Sequence, residues 1–76
     1  MTEALTKDGI AYMVSRLLER GKEAKDEAGK DSGNEFNNGR MTAYYEMLNI
    51  LKNDLLIRDQ DISEYGLDID LENTLL

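Results

Sequence analysis

The chain has no cysteine, histidine, proline or tryptophan and only one phenylalanine in 76 residues. Without Cys or His there is no zinc finger, thiol nucleophile, iron–sulfur centre, disulfide framework or imidazole acid/base, because those chemistries need those side chains. Positive charge is also scarce: 9 Lys and Arg stand against 16 Asp and Glu, a formal charge of −7. A direct nucleic-acid or anionic-membrane binder needs Lys and Arg to displace counterions from phosphate, so neither partner is expected. Long apolar runs are missing too. No window approaches the ~18 apolar residues of a membrane span, and the start from Met1 to Ile10 has no basic region followed by an apolar stretch. A soluble, cytoplasmic protein without membrane partners is the expectation.

A chain this short buries only about 60% of its unfolded surface, and a core alone seldom stabilises it by more than ~3–5 kcal/mol. With no disulfides, the remaining devices are long, well-formed helices and oligomerisation. From Glu3 to Ala28 the chain is rich in Ala, Leu, Glu, Lys and Arg, with Thr2 or Thr6 available as a cap and Gly29 just beyond the end. This predicts helix 1 over about 3–28, with a break possible at Gly9 or Gly21. Its stripe begins with Ile10, Met13, Val14, Leu17 and Leu18 and narrows to Gly21, Ala24 and Ala28. Ser32 and Glu35 then form a capping-box pattern, predicting helix 2 over about 33–57 and an antiparallel hairpin. The small residues of helix 1 are expected to face Phe36, Gly39 and Ala43.

At ~100° per residue, helix 2 places its apolar residues on an arc of roughly 240°, too wide for one partner helix. The candidates for a second neighbour are the C-terminal segment and another copy of the chain. Met41, Tyr45, Leu48 and Leu56 extend the arc on one side and are the expected self-association contacts. Arg40 shares the face of Tyr44 and is expected to pair with a carboxylate of the C-terminal segment.

The segment 58–76 interleaves acids with apolar residues. Asp61 to Gly66 suits a single helical turn stopped by glycine, and Leu67 to Leu71 alternates with period two. The expectation is an ordered extended or short-helical segment laid on the hairpin, with its last residues frayed. Net charge divides as −1 over residues 1–31, 0 over 32–52 and −6 over 53–76. The carboxylates Asp59, Asp61, Glu64, Asp68, Asp70 and Glu72 therefore form a candidate surface for a basic protein.

Asp59, Asp61, Ser63 and Asp70 imitate positions of a calcium loop, but Glu64 stands where the turn needs glycine and Asp70 where a bidentate Glu is favoured. No metal or cofactor is expected. Ser15, Ser32 and Ser63 have no base nearby in sequence, and carboxylate acid/base work needs an enclosed site that a small hairpin does not provide. No catalytic residues are assigned, and the chain is read as a non-enzyme.

The run from Phe36 through Gly39, Arg40, Ala43, Tyr44, Tyr45 and Glu46, with Leu51, Lys52 and later Gly66, Leu67 and Asp68, resembles small uncharacterised proteins of bacteria, prophages and conjugative elements. The resemblance implies a short all-helical protein without assigned catalytic activity. Taken together, the expectation is a single all-α domain over 1–76: a two-helix hairpin with an acidic third segment, dimerising into an assembly like a four-helix bundle. Its expected role is a non-catalytic interaction or accessory protein of a mobile element. The second reading is an acidic inhibitor or regulator that occupies a basic, nucleic-acid-binding protein surface by charge mimicry.

Overall fold

The computed structural model describes residues 6–31 and 33–76, and among them the fold is entirely helical. Helix α1 spans Lys7–Lys30 and α2 spans Glu35–Ile57; a single 3₁₀ turn at Ile62–Tyr65 and a short helix α3 at Leu71–Leu75 complete it. Thr6 caps α1: its extended backbone ends the helix, and its hydroxyl accepts from the Gly9 amide at 3.0 Å. The helix therefore starts at Lys7 rather than near residue 3, runs unbroken through Gly9 and Gly21, and includes Gly29. Thr2 and Ser32 lie outside the described residues. Asn34 is the cap of α2, its side chain accepting from the Asn37 amide at 3.1 Å. An Asn in extended conformation serves this role as well as the expected Ser.

The hairpin is antiparallel, and one of its two faces is roofed by the C-terminal segment. Val14, Leu48, Leu55, Tyr65, Leu67, Leu71 and Leu75 form the buried core, so four of its seven members come from the last 12 residues. Gly21, Ala24 and Ala28 are buried, yet Phe36, Gly39 and Ala43 are exposed. At Gly21 the small residue makes a notch for α3 beside α2: a Cβ there would lie 2.8 Å from Leu75 Cδ2 and 3.3 Å from Tyr44 Cβ.

The chain reaches this roof through a tight corner. After Arg58 caps α2, Asp59 takes a left-handed φ of 58°, the Asp59 amide donates to the Leu56 carbonyl at 3.0 Å, and the Gln60 amide donates to the Leu55 carbonyl at 2.9 Å. These two bonds satisfy the carbonyls that a helix end leaves orphaned. Gly66, at φ 74°, repeats the arrangement: its amide reaches Ser63 and the Leu67 amide reaches Ile62. The predicted turn ending at Gly66 is present, and so is the alternation after it, with Leu67 and Leu71 buried and Ile69 half-buried between exposed Asp68 and Asp70. The chain end is not frayed. Asp70 caps α3, accepting from the Asn73 amide, and Leu75 is fully buried.

Candidate interaction surfaces

Two surfaces stand out: the acidic roof and the uncovered side of α2. On the roof, Asp59, Asp61, Glu64, Asp68, Asp70 and Glu72 are all exposed. Several of them also hold the fold. Asp61 accepts from the Ser63 amide at 3.0 Å and its hydroxyl at 2.6 Å, which holds the Asp61 carboxyl below the usual aspartate range. Asp70 binds the Asn73 amide and side chain. Glu64 pairs with Lys7 at 2.6 Å, and that hydrogen bond and charge raise the Lys7 pKa. The Tyr45 hydroxyl lies 3.4 Å from Glu72; partial desolvation first, and the Glu72 charge second, raise its pKa. Two hairpin lysines complete the attachment, Lys52 donating to the Ile69 carbonyl and Lys25 to the Asn73 carbonyl, each at 2.9 Å.

Among the described residues no group of three or more acids converges as metal ligands would. The loop-like spacing of Asp59, Asp61, Ser63 and Asp70 is used instead for one left-handed corner and two helix caps. The concavity nearest these acids, lined by Tyr45, Asn49, Lys52, Asp70, Leu71 and Glu72, is open, and its lysine is already engaged with the Ile69 carbonyl.

The self-association residues expected from the sequence are divided by the roof. Leu48 is fully buried in the intramolecular core and is unavailable to a partner. Tyr45 and Met41 are half-buried, Tyr45 under the roof through Glu72. Leu56 alone of the four is exposed, at 48%. Arg40 does not reach the C-terminal segment either: it pairs with Glu27 of α1, the helix that faces it.

On α2 an apolar surface remains open on the other side, in addition to the exposed Tyr12 and Met13 of α1 and Leu76 at the chain end. Phe36 is 73% exposed, Met47 50%, Ile50 60% and Ile57 78%, and Ala43 between them is also exposed. Phe36, Ala43, Ile50 and Ile57 are seven residues apart, with Arg40, Met47 and Asp54 in the second set of heptad positions. At 100° per residue such a row drifts by only ~20° per heptad, so it forms one stripe about 30 Å long. Leu48 and Leu55, by contrast, point into the core from the opposite part of the helix. Phe36, Ala43, Met47 and Ile50 belong to the broad arc read from the sequence, which left out Ile57; the signal that singles out this side is the unbroken heptad row from Phe36 to Ile57.

No helix among the described residues is long and apolar enough to cross a membrane. No family model, curated protein or solved structure matches the chain.

Proposed function

We propose that this chain is a non-catalytic interaction protein that acts through helical self-association and protein binding, with the outward stripe of α2 as its contact surface. The observation that carries this reading is the stripe itself: four large apolar side chains, each at least half exposed, aligned along the helix face that the roof does not cover. Surface apolar residues are ordinarily scattered, and a contiguous row on a small domain marks an interaction site. The accessory role in a mobile element rests on the resemblance around Phe36 to Lys52 and extends this reading to a biological setting.

A second reading is favoured by the charge distribution. Residues 53–76 carry a net −6, and six carboxylates of the roof and its corner are exposed, the arrangement a basic protein surface would capture. The two readings separate under salt. Sedimentation equilibrium of the wild-type chain over rising concentration should show a reversible dimer that persists as sodium chloride is raised, because apolar contact is not screened. A chain that stays monomeric throughout would refute self-association. Capture by a basic protein that collapses with added salt, without dimerisation, would favour the charge-led reading.

A further inference from the structure

The stripe on α2 is self-complementary when reversed. From this we infer that its occupant is a second copy of the chain, docked antiparallel about a two-fold axis at the level of Met47. The inference rests on the self-association reading and specifies its geometry. Reversing the helix about Met47 sets Met47 level with itself and brings Phe36 to within one residue, about 1.5 Å, of the level of Ile57 of the copy, and Ala43 equally near the level of Ile50. The small Ala43 thus meets the large Ile50, and the aromatic ring at one end of the stripe meets the branched side chain at the other.

Charge selects the same direction. Arg40 and Asp54 lie seven residues to either side of Met47, so the antiparallel arrangement sets each Asp54 level with Arg40 of the copy. Asp54 is exposed, and among the described residues its carboxylate makes no hydrogen bond or ion pair. Arg40 binds Glu27 and retains further guanidinium donors for a second carboxylate. A parallel dimer would instead oppose Asp54 to Asp54 and Arg40 to Arg40 along the seam, an arrangement that like charges disfavour. Glu46 lies at the solvent edge of the stripe, where water screens it from its counterpart.

Area also suits a copy. Phe36, Met47, Ile50 and Ile57 together expose on the order of 500 Å², near the largest patch of an ordinary monomer. Two such faces, fully covered, bury at most on the order of 1,000 Å² through these side chains, the threshold a specific interface has to clear.

The absence of cysteine makes the geometry directly testable. Single-cysteine chains Met47→Cys, Phe36→Cys and Ile57→Cys would be treated with a short bismaleimide at concentrations where sedimentation shows the wild-type dimer. Met47→Cys should cross-link to itself. Phe36→Cys and Ile57→Cys should cross-link when mixed and not when alone. Asp54→Asn should weaken dimerisation severalfold, since it removes a cross-chain pair. A dimer in which Phe36→Cys and Ile57→Cys each cross-link alone, or which Asp54→Asn tightens, is parallel and overturns the inference while leaving self-association intact. A wild-type chain that never dimerises overturns both.

Discussion

At the residue scale, the glycines show how neighbours decide what a side chain is worth. Gly21 and Gly39 both sit inside helices, where glycine costs about 1 kcal/mol relative to alanine. Gly39 has nothing within 4 Å of its would-be Cβ, whereas at Gly21 that atom would meet Leu75 at 2.8 Å. Leu75 is fully buried, so its side chain would have to shift within the core, and Tyr44 Cβ at 3.3 Å crowds the same position. Gly39→Ala should therefore raise unfolding stability in urea by about 0.5–1 kcal/mol, and Gly21→Ala should lower it despite the same gain in helix propensity. Equal gains at both positions would show that Gly21 is not a notch for α3. The narrowing of helix 1 to Gly21, Ala24 and Ala28 was legible as a site of close approach. Its occupant was not, because spacing identifies a small surface and does not say which element fills it. Asp59 was illegible for a related reason: the left-handed corner after α2 falls on a residue that tolerates positive φ, with no glycine to announce it.

At the scale of elements, the C-terminal segment is an integral part of the fold rather than an appendage. The period-two burial of Leu67, Ile69 and Leu71 and the stop at Gly66 could be read from the sequence, as could the two long helices. Its weight in the core could not, since alternation shows which residues face the hairpin and not that Tyr65, Leu67, Leu71 and Leu75 supply most of the core, and Leu75 lies in the end expected to fray. Its attachment carries a two-sided pH dependence. Asp61 has a lowered pKa, so its contribution is complete above the ordinary aspartate value and is lost as pH falls through the lowered one. Lys7 and Tyr45 have raised values, so their contributions are complete below the ordinary values and are lost as pH rises through the raised ones. Thermal stability should be level between about pH 4 and pH 10 in these three contributions and fall at both ends. Asp61→Ala should flatten the acid limb and Lys7→Met the alkaline one. Limbs unchanged in both variants would assign the pH response elsewhere.

At the scale of the whole molecule, the hairpin has two faces and one roof. Helix α2 needs more than one neighbour, as its broad arc indicated; the roof supplies a neighbour on the Leu48 side and leaves the side of Phe36, Met47, Ile50 and Ile57 open. The arc alone could not tell these flanks apart, because both are apolar and only the fold of residues 58–76 decides which is covered. That is why Leu48 moves from the expected interface to the core. The charge of −7 divides along the same lines: a nearly neutral hairpin carries the apolar stripe, and the roof with its corner carries the excess of carboxylates.

The central claim, that the uncovered stripe of α2 drives association while Leu48 holds the monomer together, is tested most directly by comparing Ile50→Asp with Leu48→Asp in sedimentation equilibrium paired with circular dichroism. Ile50→Asp should keep helical content and a cooperative melt while weakening the dimer by at least about 100-fold, since two buried isoleucines are lost per interface. Leu48→Asp should lose the cooperative melt, because it places a charge in a core with no partner for it. A folded Ile50→Asp chain that still dimerises like the wild type would contradict the account.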